Sequence, residues 1–359
     1  MQVVDVIIIG GGLSGLYAAT LLQKQGISYR LFEAGPYLGG RLLSSPANAN
    51  KVSVDLGATW FWPHHHRVRL LLNALNINSF PQYTNGDALY QMSTDTPPQR
   101  ITGTPGLSYR VKGGAAAIPA QLATRLNTQY INQQQPITRF SKVQKFWQIQ
   151  TGNSTQPDLQ ASHLLLAAPP RVLLQRTNLA DLLSVPLQQT LMQQQTWMAA
   201  QAKFVATYDT AFWREAGLAG DAFSRIGPMS EIHDASAKED AGFALFGFLG
   251  IPADTRREIT TDTLSHYCLQ QLAQLFGKQA LKPESYYLKD WTDNHWVCSK
   301  QDIGETLNHP AANLVPFETE FTELQLRFAS TEVAAQEAGY IEGALLAAEQ
   351  AVQSIVTTQ

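Results

Sequence analysis

The stretch that decides the fold lies at the N-terminus and reads VVDVIIIGGGLSG, residues 3–15. Residues 3–9 are an apolar, β-branched run broken only by Asp5, which predicts a strand buried on both faces of a parallel sheet. Glycines follow at once, and residues 16–25 then carry apolar side chains at helical spacing before Gly26. A further run over residues 27–32 ends at Glu33, so the pattern predicts a complete β-α-β unit.

The glycine turn predicts a binding site for a dinucleotide. Glycines between a strand and a helix turn the chain tightly, let the backbone approach a pyrophosphate and aim the helix N-terminus at the phosphates. Glu33 stands 23 positions after Gly10, where an acidic side chain binds ribose hydroxyls and disfavours the 2′-phosphate of NADP. The unit alone does not separate NAD from FAD. Its predicted contacts are Gly10, Gly12, Leu13, Ser14, Gly15 and Glu33.

A second glycine-rich segment points to FAD. Glu33-Ala34-Gly35, followed by Gly39-Gly40-Arg41, resembles the second glycine signature of the amine oxidase and phytoene desaturase superfamily, whose members typically hold FAD. The resemblance places Gly40 and Arg41 along the pyrophosphate. An arginine offers a planar fork to phosphate oxygens, and an ordinary surface arginine is the alternative.

Further motifs, spread over most of the chain, are similar to those of flavin monoamine oxidases. Residues 54–61 (VDLGATWF) match the family's segment that passes the isoalloxazine ring, and residues 136–137 the strand whose backbone meets the adenine. Residues 167–170 (AAPP) match the strand end beside it. Residues 328–332 (FASTE) match the last FAD-contacting motif, and residues 339–344 (GYIEGA) match the helix that points at the flavin. The resemblance implies FAD contacts at Ala34, Gly57, Ala58, Thr59, Trp60, Ile137, Ala168, Thr331, Glu332, Gly339, Tyr340 and Ile341.

Lys203 is the leading candidate for a catalytic role. It lies in an apolar run ten positions before Trp213, the spacing seen in amine oxidases, where the resemblance implies a lysine that holds a water against flavin N5. Its charge and donors can assist electron transfer into the flavin or reaction of the reduced flavin with oxygen. A solvated lysine at a strand edge is the alternative, but a lysine among Ala, Phe and Val is costly to bury without purpose.

Aromatic residues are expected to shape the amine site. Tyr340 matches one wall of the family's aromatic cage, which orients the amine against the flavin. The usual partner tyrosine is absent, since its place, aligned from Trp291, falls near Lys300-Gln301. Trp296 is a nearby aromatic that could substitute, and the alternative is that Trp291 and Trp296 are plain core. Phe248 resembles a cavity-lining residue with the same ambiguity.

Two other departures from the family pattern affect the expected site. Animal monoamine oxidases attach FAD to a cysteine, and Cys298 falls about two positions from that point, so we expect noncovalent FAD. Fewer than fifty residues separate Trp62 from Lys112, where the family commonly inserts a helical part of the substrate domain. The active site is therefore expected to be more open, or to be covered by a homo-oligomer or a partner chain.

Length and composition frame these expectations. A chain of 359 residues predicts two domains: an α/β, Rossmann-type FAD-binding domain of residues 1–66, 107–195 and 300–359, and an interleaved, smaller α+β substrate domain of residues 67–106 and 196–299. Within them we predict helices at 116–126 and 261–275, strands at 142–150, 163–168, 202–208 and 242–248, and an irregular stretch from 81 to 105.

Charge and cysteine content exclude several partners. A net charge of −3 gives no basic stripe for nucleic acid and no polybasic segment for a membrane surface, and no long apolar run predicts a membrane span or anchor. The two cysteines fit a reducing compartment, so we expect a cytoplasmic protein. His64-His65-His66 suggests a metal, but adjacent side chains diverge and no second ligand cluster is evident, so we predict a polar loop and no metal site. No paired carboxylates are indicated, Asp234 and Asp293 included.

Together the motifs predict an FAD-dependent amine oxidase whose partners are a small-molecule amine and oxygen. The resemblance implies hydride transfer from the α-carbon to flavin N5, an imine product that water hydrolyses, and hydrogen peroxide. An FAD-dependent desaturase or porphyrinogen-type oxidase with a larger apolar substrate is the first alternative, and Lys203 argues against it. A flavin-bearing partner protein without turnover is the second.

Overall fold

Three β-sheets with helices packed against them form the part of the chain that the computed structural model describes, residues 2–46, 53–103, 106–152, 159–237, 242–305 and 312–357. In chain order the strands are β1 (Gln2–Ile9), β2 (Tyr29–Phe32), β3 (Trp60–Phe61), β4 (Ser79–Pro81), β5 (Asp87–Gln91), β6 (Gln99–Thr102), β7 (Tyr109–Val111), β8 (Ile131–Asn132), β9 (Ile137–Val143), β10 (Phe146–Thr151), β11 (Leu159–Leu166), β12 (Ala202–Tyr208), β13 (Leu218–Ser224), β14 (Met229–Asp234), β15 (Phe243–Leu249), β16 (Ser285–Asp290) and β17 (Leu326–Phe328). The α-helices are α1 (Leu13–Lys24), α2 (His66–Leu75), α3 (Ala117–Thr124), α4 (Pro170–Arg176), α5 (Val185–Met192), α6 (Phe212–Glu215), α7 (Ala253–Arg256), α8 (Thr261–Phe276), α9 (Glu318–Leu324) and α10 (Ile341–Thr357).

The first sheet is built around the N-terminal strand. Its order is β8-β2-β1-β11-β10-β9, with β17 also paired to β11, and β1 runs parallel to both β2 and β11. Val6 and Ile8 face a core shared with α1 and α10, whereas Ile7 and Ile9 face the core on the opposite side of the sheet. The strand is thus buried on both faces, and the predicted β-α-β unit and α/β fold class are confirmed.

The second sheet has the order β16-β12-β15-β14-β13-β5-β6. It includes the predicted strand over residues 202–208, and α8 matches the helix predicted at 261–275. The prediction of an irregular stretch from 81 to 105 was wrong, because β5 and β6 form a hairpin there whose first strand pairs in parallel with β13; residues 104–105 lie outside the described part of the chain. Prolines and glycines around these short strands hid a pairing that depends on a strand more than a hundred residues away.

Two predicted strands of the first sheet have different bounds. Residues 142–150 form a hairpin of β9 and β10 in place of one strand, and the chain turns at Gln144, which has a φ of 56°. The strand predicted at 163–168 begins at Leu159 and ends at Leu166, where its last residue pairs with Ile9. Polar residues such as Gln160 and Ser162 concealed its first half.

The division into two domains stays a prediction. The first sheet draws on residues before 33, from 131 to 166 and near 327, and the second on residues 87–102 and 202–290, which follows the interleaving expected. Helix α2, which the predicted boundary assigns to the substrate part, packs instead against α10 and the cofactor-side core through Val68, Leu71, Leu72 and Leu75. In the described part of the chain no helix is both long and apolar enough to cross a membrane.

A buried carboxylate joins several elements of the second sheet. Asp234 at the end of β14 accepts hydrogen bonds from Trp213 Nε1 and Arg214 Nε, both at 2.9 Å, and from the Ser236 amide at 2.8 Å. Its backbone oxygen accepts a bond from Gln82 Nε2 at 2.8 Å. The ion pair of Asp234 with Arg214, which lies in a separate motif of the sequence, was not indicated by the sequence.

We expect Asp234→Ala to lower the free energy of unfolding by about 3 kcal/mol, because it leaves a buried indole N–H and an arginine without their acceptor. Urea unfolding followed by tryptophan fluorescence measures the change. Asp209→Ala is the matched control, since that side chain is exposed, and it should shift stability by less than about 0.5 kcal/mol. Equal midpoints for the two variants would contradict the assignment of Asp234 as a structural hub.

Candidate cofactor and active site

A cavity of about 830 Å³ runs between the two large sheets. One end is formed by the turn between β1 and α1 and by the segment after β2, and the other by residues 56–62, β12 and the start of α10. Clefts of this size between structural units commonly hold cofactors and small substrates. Its lining includes the predicted residues Gly10, Gly12, Leu13, Ser14, Glu33, Gly40, Arg41, Gly57, Ala58, Thr59, Trp60, Ala168, Lys203, Trp291, Trp296, Thr331, Gly339, Tyr340 and Ile341, together with Phe248.

The glycine turn forms a cradle that only glycine can form. Gly10 has a φ of +108°, and a Cβ added there would lie 2.8 Å from the backbone oxygen of Ala167. A Cβ on Gly15, in the first turn of α1, would lie 1.9 Å from the backbone oxygen of Gly10. The turn therefore brings the N-terminus of α1 and its free amides to the cavity, which fits the pyrophosphate of a dinucleotide.

Glu33 stands at the ribose end of this cradle. Its two carboxylate oxygens accept hydrogen bonds from the amides of Gly11, at 2.7 Å, and Gly35, at 2.6 Å. Burial raises the pKa of Glu33, while these hydrogen bonds oppose the rise. Each oxygen keeps a lone pair for a hydroxyl group, so the donor set fits a ribose with a free 2′-hydroxyl.

Arg41 lies where the second glycine segment meets the cavity. Its guanidinium pairs with Glu332 and donates to the backbone oxygen of Trp197 at 3.2 Å. The other carboxylate oxygen of Glu332 is buried and has no hydrogen-bond partner among the described residues. Glu332 thus holds Arg41 in place while the arginine itself reaches the cavity.

Three other predicted contacts lie away from the cavity lining. Gly15 does not line the cavity but lets α1 approach Gly10 closely. Ala34, the residue after Glu33, is also not among the lining residues. The Ile137 side chain is buried in the core with Phe140 and Leu166, on the far side of the first sheet from α1. Whether the Ile137 backbone meets the adenine stays a prediction.

The start of α10 is fixed by a single threonine. Thr331 Oγ1 accepts a hydrogen bond from the Gly339 amide at 3.0 Å and donates to the Tyr340 backbone oxygen at 2.9 Å. Gly343 lets the first turn pass close to Glu337, since an added Cβ would lie 2.0 Å from the Glu337 backbone oxygen. This arrangement brings Tyr340 and Ile341 to the cavity wall.

Lys203 is buried on β12, between β16 and β15 of the second sheet, and still reaches the cavity. Its side chain is 2% exposed, and Nζ donates to Thr59 Oγ1 at 2.5 Å and to the Gly57 backbone oxygen at 3.2 Å. Nζ also lies 4.0 Å from the centre of the Phe246 ring. Burial lowers the pKa of Lys203 to about 7, with Asp55 opposing the shift and Arg110 adding to it.

The aromatic walls differ in part from those expected. The Tyr340 ring meets Trp62 edge to face, with centroids 5.5 Å apart, so Trp62 is an aromatic partner that the sequence motifs did not single out. Trp291 is buried and donates from Nε1 to the Leu56 backbone oxygen at 3.0 Å, which anchors the segment before Gly57. Trp296 lies at the cavity beneath the guanidinium of Arg176.

The structure adds polar groups at the same end of the cavity. Glu231, Ser230, Gln201 and Lys289 line it, and none of them belongs to a motif. His233 lies behind Glu231, hydrogen-bonded to it at 2.7 Å and to Asp221 at 2.8 Å. Burial lowers the pKa of His233, but the two carboxylates outweigh it and raise the pKa overall. These residues come together only through strand pairing, which no local pattern indicates.

Comparison with known proteins identifies the family. The family model for flavin-containing amine oxidoreductases matches residues 88–356, and that for an NAD(P)-binding Rossmann-like domain matches residues 8–75. A Dictyostelium discoideum protein named "Probable flavin-containing monoamine oxidase A" is 22% identical over 451 aligned residues, covering 95% of each chain. Putrescine oxidase of Kocuria rosea is 28% identical over 204 residues, 52% of this chain and 38% of that protein. The structure of cyclohexylamine oxidase from Brevibacterium oxydans IH-35A aligns with a TM-score of 0.83, 21% identity and 99% coverage of both chains.

The fold and the site together define a Rossmann-type flavoprotein. The chain belongs to the flavin-containing amine oxidoreductase family, and it is an FAD-dependent oxidoreductase. The glycine cradle and the Arg41 guanidinium fit the pyrophosphate of FAD, and Glu33 fits its ribose, in the structure as well as in the sequence.

We expect Gly15→Ala to weaken FAD binding by roughly tenfold or more, because making room for a methyl group against backbone costs about 1–3 kcal/mol and displaces α1 from the cradle. Fluorescence titration of the apoprotein with FAD measures the affinity. Gly106→Ala is the control, since an added Cβ there meets nothing within 4 Å. Unaltered FAD affinity in Gly15→Ala would show that the cradle does not depend on this close approach.

Proposed function

We propose that this protein oxidises the carbon–nitrogen bond of a small amine and uses oxygen as the electron acceptor. The observation that carries the proposal is the buried Lys203, which reaches the same cavity that the aromatic pair Tyr340 and Trp62 lines. FAD held by the glycine turn, Glu33 and Arg41 would supply the redox chemistry, namely oxidation of the amine to an imine by loss of a hydride equivalent and a proton, with reduction of oxygen to hydrogen peroxide. Water then hydrolyses the imine.

The protein residues position the amine and keep water away from it. Tyr340, Trp62 and Phe248 offer ring faces and edges that favour an alkylamine over a strongly hydrated substrate. Glu231 places one acidic group at the same wall. Among the relatives, putrescine oxidase and cyclohexylamine oxidase are named for amine substrates, which supports an amine as the substrate class here.

Lys203 supplies the electrostatic assistance. Two of its three N–H donors are used by Thr59 and Gly57, which leaves one for a water molecule or for the cofactor. With its pKa lowered to about 7, the side chain carries a positive charge below that pH and loses it above. A positive charge on Lys203 would stabilise negative charge that develops in the cavity during electron transfer.

We further propose that the FAD is held without a covalent bond. Cys298 is buried, its Sγ donates to the Ser299 backbone oxygen at 3.4 Å, and burial raises its pKa to about 12. A buried thiol in its neutral form is a poor nucleophile toward the flavin. Release of free FAD on acid precipitation is the expected outcome.

We expect Lys203→Met to slow flavin reduction by an amine, or reoxidation by air, by roughly ten- to a hundredfold. The measurement mixes the yellow holoenzyme with a panel of amines without oxygen, follows bleaching of the flavin band, and then adds oxygen. In the wild type the assisted step should slow as the pH rises through about 7, because the Lys203 charge is lost there, and the variant should lack this pH dependence.

Lys282→Met, at an exposed lysine before β16, is the matched control and should behave as the wild type. Unchanged kinetics in Lys203→Met would remove the lysine from the mechanism. If no amine bleaches the flavin while a large apolar substrate does, the amine oxidation proposal itself fails.

A further inference from the structure

Two adjacent histidines and a distant glutamate meet next to Trp62 and Tyr340, which line the cavity. His64 Nε2 lies 3.4 Å from Glu337 Oε1, and His65 Nε2 lies 3.3 Å from Glu337 Oε2. The His64 and His65 rings stand edge to face with centroids 4.6 Å apart, so neighbouring side chains converge here. One ligand-type atom from each of the three residues falls within 4.8 Å of the others.

We propose that His64, His65 and Glu337 bind a divalent transition-metal ion such as Zn²⁺. Two imidazoles and one carboxylate are a donor set that suits zinc, with a water molecule as the fourth ligand, and they do not suit the hard cations Mg²⁺ and Ca²⁺. In a tetrahedron with metal–ligand bonds of roughly 2.0–2.1 Å the ligand atoms stand about 3.3 Å apart. The two nitrogen–oxygen separations, 3.4 Å from His64 to Oε1 and 3.3 Å from His65 to Oε2, are close to that value, and each imidazole faces its own oxygen of the Glu337 carboxylate.

His65 gives the strongest reason to expect a ligand. Its side chain is only 1% exposed, yet neither ring nitrogen makes a hydrogen bond with the described residues. The Nε2 atom lies 3.3 Å from Glu337 Oε2 without hydrogen-bonding geometry, and this separation is compatible with a shared ligand at one point near both atoms. A buried polar group without a partner is costly, and a metal ion at that point would satisfy both.

The backbone holds the three residues in this arrangement independently of a metal. The His65 amide donates to the Trp62 oxygen at 3.0 Å, and α2 begins at the next residue. Glu337 adopts a left-handed φ of 55°, and its backbone oxygen accepts a hydrogen bond from the Tyr340 amide at 3.1 Å. His64, in contrast, is exposed to solvent and leaves a side open for a water ligand and for ion access.

Binding at this site would act on the cavity. The His65 ring contacts both Trp62 and Tyr340, with centroid distances of 5.3 Å and 6.0 Å. An ion on His65 and Glu337 would link the segment before α2 to the loop before α10, and these two carry the aromatic pair. The ion thus stiffens the wall that meets the substrate without touching Lys203.

The test is equilibrium dialysis of the holoenzyme against zinc chloride, with His64→Ala, Glu337→Gln and His66→Ala variants. We expect one zinc ion per chain in the wild type and binding weaker by about tenfold or more in the first two variants. His66 is the matched control, because it is the next histidine, is exposed and lies outside the cluster, and its variant should bind as the wild type.

Flavin content and thermal midpoints are measured on the same samples, and zinc should raise the midpoint of the wild type and of His66→Ala only. His64 is exposed, so its alanine variant tests the proposal even if Glu337→Gln fails to fold. The absence of saturable zinc binding overturns the proposal, and so does a loss in His66→Ala equal to that in His64→Ala. Neither result depends on amine oxidation, so this test and that of the proposed function fail separately.

Discussion

The close approach of α1 to the end of β1 is the constraint on which the rest of the site depends. Gly15 stands so near the Gly10 carbonyl that any side chain would separate helix from strand. This contact sets the helix N-terminus over the cavity. The same turn also contacts the second glycine segment. The Gly39 amide donates to the Gly11 oxygen at 2.8 Å, and Gly12 and Gly39 form a bridge.

From there a series of backbone contacts leads to Lys203 at the other end of the cavity. The Arg41 oxygen accepts a hydrogen bond from the Ala58 amide at 3.1 Å, and Gly57 passes so close that an added Cβ would lie 1.9 Å from that oxygen. The Gly57 oxygen in turn accepts a hydrogen bond from the Lys203 ammonium group. Phosphate cradle and lysine therefore belong to one connected framework, and glycine occurs wherever two backbones must touch.

This framework explains which features could be predicted from the sequence. The glycine turn, Glu33 and the motif around Thr59 are local patterns, so each could be recognised without knowing its neighbours. Trp62 lay inside a recognised segment, yet its contact with Tyr340 depends on where α10 begins. Glu231 and His233 reach the site because β14 pairs with β15, and a pairing between strands leaves no mark in either strand alone.

The proposed metal site is a second case in which the sequence alone did not indicate the residues that come together. Three histidines in a row gave a local pattern, but the residue that makes them a candidate site is Glu337, more than 270 positions further on. Its placement results from the left-handed turn before α10, and glutamate is not a residue that predicts such a turn. Convergence of distant loops therefore had to be seen in the structure.

The position of Lys203 depends on strand register as much as on chemistry. All residues of β12 are buried, so hydrophobicity alone does not decide which of them face α8 and which face the flavin-side segment. Phe204 and Ala206 pack in the core that includes α8, whereas Val205 packs with Val54 and Leu56 on the opposite face. A slip of one residue would exchange the two faces and bury the ammonium among apolar side chains with no acceptor. Because Gly57 and Thr59 accept its hydrogen bonds only in the observed register, the costly lysine also specifies how β12 pairs.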